Sequence, residues 1–109
     1  MKTNEITGQP NKIEESTKIT GEIKSNADFR IDGYLNGSIT TSGKVVIGKE
    51  GIIEGNIKCL NADIEGRFNG KIEASEVLNL KSTAIIEGEV KISKLIVEAG
   101  ANFNAKCSM

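Results

Sequence analysis

Histidine and tryptophan are absent from this 109-residue chain, proline occurs once, cysteine twice, and aromatic residues make up only 4%. Each shortage removes a class of protein. Without histidine there is no imidazole base and no histidine-centred triad. With only two cysteines, far apart, a transition-metal site has no ligand set. Acyltransferases and carbonic anhydrases on left-handed hexapeptide helices rely on histidine, and a strict six-residue period is missing too. The longest apolar run is three residues, far too short for a membrane-crossing helix, and the N-terminus lacks the layout of a secretory signal. Lys and Arg number 14 against 15 Asp and Glu, which leaves no basic field for nucleic acid. The expected compartment is the cytoplasm, and neither catalysis nor a cofactor is expected.

What the chain has instead is repetition. Ile31 to Ile39 (IDGYLNGSI) returns 33 residues later as Ile64 to Ile72 (IEGRFNGKI), and Ile52 to Ile57 (IIEGNI) returns at the same offset as Ile85 to Val90 (IIEGEV). The shared element is apolar, any residue, Gly, any residue, apolar. It begins at Ile19, Leu35, Ile53, Phe68 and Ile86, with a worn sixth copy, Phe103-Asn104-Ala105-Lys106-Cys107. These starts lie 16, 18, 15, 18 and 17 residues apart, so the unit is a rung of about 17 residues, and a fixed period marks a stacked-repeat architecture.

Within the repeat, apolar residues alternate with polar ones, β-branched residues are common and glycine interrupts every few positions, which reads as strand rather than helix. Strands of about four or five residues between glycine corners predict an all-β parallel solenoid of about six rungs, three strands per rung. Leu35, Ile39, Ile53, Ile57, Phe68, Ile72, Ile86 and Val90 are the expected core anchors. Such a column of stacked residues supports itself rung upon rung, which suits a chain with few aromatics. Gly33, Gly37, Gly51, Gly55, Gly66, Gly70 and Gly88 are assigned to corners, since nothing resembles a phosphate loop. Recurrent carboxylates such as Glu54 and Glu87 raise the idea of a solenoid lyase or glycosidase, but rungs this short leave no room for a groove-forming loop. An ice-binding face would need regular Thr rows, and Thr is sparse after Thr41.

Residues 1–16 lack the rung pattern and are expected to form a flexible tail, leaving 17–109 as the core. Cys107 falls on an apolar rung position and is expected to be a small buried residue. Cys59 and Cys107 are nearly three rungs apart, too far for a disulfide. A solenoid without capping elements exposes core side chains at both ends. Ile19 and Ile23 at one end and Phe103 and Cys107 at the other are therefore expected to form contacts between copies. A monomeric or dimeric solenoid binding a protein partner on a flat face is the alternative.

The six rungs, the I-[DE]-G-x-[LF]-x-G-x-I phrases and the closing Phe103-x-Ala105-x-Cys107-x-Met109 string resemble the bactofilins, over roughly residues 17 to 109. The resemblance implies a right-handed, triangular parallel β-helix that polymerises end to end without nucleotide. It also implies a scaffold at the cytoplasmic face of the membrane that influences cell shape and recruits cell-wall enzymes. Two features depart from the family: there is no apolar membrane-targeting start of the Met-Phe type, and almost no tail follows the core. Self-association is thus the partner expected first, ahead of membrane or cell-wall proteins.

Overall fold

The computed structural model describes residues 11–108, and among these there are nine strands and no helix. They are β1 (Asn11–Ile13), β2 (Lys18–Ser25), β3 (Phe29–Ile31), β4 (Tyr34–Thr41), β5 (Lys44–Ile47), β6 (Ile52–Ile64), β7 (Arg67–Leu80), β8 (Ile85–Val97) and β9 (Asn102–Ser108). Every pairing is parallel, and the chain winds as a β-solenoid of about six turns.

The register follows the repeat. Ile19, Leu35, Ile53, Phe68, Ile86 and Phe103 lie one above another, and so do Ile23, Ile39, Ile57, Ile72, Val90 and Cys107. The eight expected anchors are buried, none more than 1% exposed. A third face adds two further inward columns: Phe29, Val45, Ala62, Leu78 and Leu95, and Ile13, Ile31, Ile47, Ile64, Leu80 and Val97.

Each rung has three faces, represented by residues 34–36, 38–41 and 44–47. The first two are not separate strands of four or five residues. They form one continuous ladder bent at a glycine, because the bend is made by backbone conformation and not by a loop. Gly37, Gly55, Gly70 and Gly88 have φ between 118° and 147°, a region that side chains avoid. A Cβ on Gly55 would also collide with the carbonyl oxygen of Gly37 in the rung below. The second corner is irregular, with register shifts between Cys59 and Asn61 and between Ala74 and Val77. In β6, β7 and β8 the ladder runs on through it, giving strands of 13 or 14 residues.

The solenoid begins earlier than residue 17. Asn11–Ile13 pairs with Phe29–Ile31 and Ile13 is only 6% exposed, because it continues the column of Ile31 and Ile47. The rest of the expected tail, residues 1–10, lies outside the described residues.

Candidate assembly ends

The two ends of the solenoid are built from the same columns as its middle, but each lacks a neighbour on one side. At the N-terminal end β2 pairs only with β4, and β1 only with β3. At the C-terminal end β9 pairs only with β8, and the third-face part of β8 only with β7. Among the described residues, one edge of each of these strands carries backbone N–H and C=O groups with no ladder partner, the arrangement that templates pairing with another chain.

The side chains behave accordingly. Ile19 and Ile23 at one end and Phe103 at the other pack against the core from one side and are only partly buried. Their columns are fully covered one rung further in: Leu35, Ile39 and Ile86 are at 0%. Sequence reasoning missed the third-face contribution at the C-terminal end, where Ile96 and Val97 are 40% and 45% exposed. Leu95 and Val97, two residues apart, were a visible signal, since both continue inward columns, whereas Ile96 between them points outward with Asn79.

Cys107 is exposed, not buried as its place in the pattern suggested. It does pair with Val90 beneath it, yet among the described residues nothing lies above. The expected burial assumed a further rung. Ala105, paired with Gly88, also departs from its column: no residue other than glycine has a positive φ, so the last rung takes the first corner in ordinary extended backbone.

Cys59 is buried at 5% exposure, in a column with Ala74 and Ile92. Burial pushes its thiol up to about 12, against a smaller opposing effect of a backbone hydrogen bond at Val45. It is protonated and shielded at ordinary pH, which suits packing and not nucleophilic chemistry. Both cysteines are free. Among the described residues no cluster of three or more His, Cys, Asp or Glu is placed to hold a metal ion, and no helix is long and apolar enough to cross a membrane.

Outside the ends, the outer surface carries charge pairs and short polar ladders. Lys44 Nζ meets Asp63 Oδ2 at 2.8 Å, and Arg30 Nε meets Asp32 Oδ2 at 3.0 Å. The Tyr34 hydroxyl donates to Glu54 at 2.5 Å across the ladder, and this bond is the main reason its acidity is weakened. Such pairs are solvated and contribute little stability each, about 0 to 1 kcal/mol.

The family model described as bactofilin, polymer-forming cytoskeletal, matches residues 11–108. Among solved structures, the chain is similar to a bactofilin from Thermus thermophilus, crystallised as a phenylalanine-to-arginine mutant. Identity is 26% and the TM-score 0.78, over 83% of this chain and 100% of that one. No curated protein matches the sequence. The six-turn parallel solenoid, the stacked phrase columns and a family match over nearly all of its length together show that this chain belongs to the bactofilins, a family of polymer-forming cytoskeletal proteins.

Proposed function

We propose that this bactofilin is a scaffold that assembles end to end into filaments without nucleotide. It would act in the cytoplasm or at the inner face of the cell membrane, where it supports cell shape or positions cell-wall enzymes. The observation that carries the reading is the pair of open ends. Ile19 and Ile23 at one and Phe103 at the other are partly buried residues packed against the core from one side, beside strand edges that have no ladder partner among the described residues. Joining two ends covers the apolar columns, at about 25 cal/mol per Å² removed from water, and pairs the free edges. Cys107, exposed in the final rung, belongs to the same contact. No bound nucleotide is required by this scheme, because both the apolar columns and the strand edges are part of the folded chain.

Phe103→Arg tests it. Phe103 already packs against the core, so the substitution places a charge where a second copy has to cover it, at a cost that a surface contact does not recover. Sedimentation should show soluble short species, and electron microscopy at moderate salt without nucleotide should show filaments for the unmodified protein alone. Filaments unchanged by Phe103→Arg would overturn the assignment.

A further inference from the structure

β1 is the third face of a turn that lies beneath β2 and β3. The chain reaches every later third face from a second face: β2 leads into β3, and β4 into β5. The residues just before Asn11 are therefore the ones that the winding brings beneath β2, along the edge where β2 has no ladder partner among the described residues.

Their sequence is a worn copy of the strand above. Lys2-Thr3-Asn4-Glu5-Ile6 sets against Ile19-Thr20-Gly21-Glu22-Ile23 at an offset of 17 residues, with Thr, Glu and Ile identical. That offset falls inside the 15 to 18 residues that separate the later anchors. Four residues then join Ile6 to Asn11. Four also cross the second corner from Ile57 to Ala62 and from Val90 to Leu95, and five cross it in the other turns. Because Asn11 pairs with Phe29, the copy arrives at the third face in register.

We propose that residues 2–6 lie beneath β2 as a reversible cap, covering Ile19 and Ile23 and occupying the edge that end-to-end assembly uses. The two departures from the phrase fall where only the lowest turn tolerates them. Gly37, Gly55, Gly70 and Gly88 combine a positive φ with a glycine directly beneath, whose backbone a Cβ would strike. The lowest turn faces the open end, so only the positive φ remains to be met, and asparagine meets it more readily than most residues. Lys2 takes the column of Ile19, where its aliphatic stem covers the isoleucine and its ammonium reaches water. Lys2 and Pro10 are also residues that keep an edge strand from templating another.

The cap is weaker than an interior rung. Glu5 stands under Glu22, a like-charge pair, and Lys2 replaces an apolar anchor. A second copy that offers full apolar columns displaces it, so the segment sets a threshold for assembly at this end. A cap closed in about nine chains of ten lowers the apparent affinity of that end about tenfold. The cap stands apart from the end-to-end reading, and only its effect on assembly rests on that reading.

Cross-linking tests the cap in dilute Phe103→Arg, Cys107→Ser protein, where Cys59 is buried and does not compete. Thr3→Cys with Thr20→Cys sets two thiols on neighbouring strands at a spacing of roughly 4.8 Å, within the roughly 7 Å that a disulfide spans. Mild oxidation should join them within one chain. Thr3→Cys with Glu22→Cys, whose second thiol lies around the corner, should lag far behind. Equal rates in the two pairs, the behaviour of a loose tail, or cross-links only between chains, the sign of a second copy on the edge, would each overturn the cap. Ile6→Asp, and independently deletion of residues 2–6, should leave the circular dichroism spectrum intact, and Ile6→Asp should make the two cross-linking rates equal. Gly21→Ala should release the cap as well, at little cost to the rungs above, since its methyl would meet residue 4 as one on Gly37 would meet Gly21. With Phe103 and Cys107 restored and no added cysteines, Ile6→Asp and the deletion should each form filaments at about tenfold lower concentration than the unmodified protein. A register-specific cross-link with an unchanged threshold would overturn the cap's control of assembly. Absence of filaments from every variant would count against end-to-end assembly instead, while the cross-linking result would still decide the cap.

Discussion

Replacing Gly55 by alanine should destabilise the solenoid far more than replacing Gly21, although the two have nearly the same backbone, φ +138° and +134°. Both substitutions force an L-residue into a conformation reserved for glycine, at about 1 to 3 kcal/mol, and both narrow the unfolded ensemble alike. They differ in what the new methyl group meets. At Gly21, on the first ladder, there is nothing within 4 Å, whereas at Gly55 the methyl runs into the carbonyl, carbon and nitrogen of Gly37. Backbone cannot rotate aside as a side chain can, so the rungs must part there and one or two ladder hydrogen bonds are lost, at about 0.5 to 1.5 kcal/mol each. The expected totals are about 1 to 3 kcal/mol for Gly21→Ala and about 1.5 to 6 kcal/mol for Gly55→Ala, the second exceeding the first by about 0.5 to 3 kcal/mol. The comparison belongs in a Phe103→Arg background, chosen so that the proposed end-to-end contact does not cover Gly21, with urea unfolding followed by circular dichroism. Equal losses at the two sites would refute the argument, because they would show that stacking of glycine on glycine is not what limits the corner.

Two further expectations concern titration. The folded Cys59 thiol is held up at about 12, so above about pH 9 the unfolded chain releases a proton that the folded chain keeps. Stability should be insensitive to this group below about pH 9 and fall above it, by up to about 1.4 kcal/mol per pH unit. The difference in slope between the protein and Cys59→Ala in alkaline unfolding curves reads this directly, and identical slopes would contradict it. Tyr34 is the one tyrosine, which makes its phenol visible without interference in an ultraviolet titration. Glu54→Ala removes the hydrogen bond that chiefly raises its pKa and should lower it, whereas Asn36→Ala removes an opposing influence and should raise it.

The period of the phrases carried most of the fold. Spacing from Ile19 to Phe103 located one inward column correctly in all six rungs, because an apolar residue two places either side of a glycine can only point to the same interior each time. An outward column was also present in the sequence, since Lys24, Thr40, Lys58, Glu73 and Lys91, which pair in succession, each lie five residues beyond an anchor. A second column, Asp32, Gly48, Glu65, Lys81 and Glu98 after the third-face strands, was harder to see. Second corners of different length, marked by the shifts after Cys59 and Ala74, break the constant offset before Asp32, Glu65 and Glu98 are reached. Ile13 was missed for a related reason: its rung lacks the glycine phrase and shows only through pairing with Ile31.

By itself the sequence determined the rung, its inward positions and the lack of any histidine-based chemistry, because those depend on residue types at a repeating interval. The tertiary structure decided what depends on neighbours in other rungs. It made Cys107 exposed although its column is apolar, since burial in a solenoid comes from the rungs above and below and the last rung has only one. It also brought residues from five turns into two straight lines of charge, an alignment set by hydrogen bonding between rungs and not by distance along the chain.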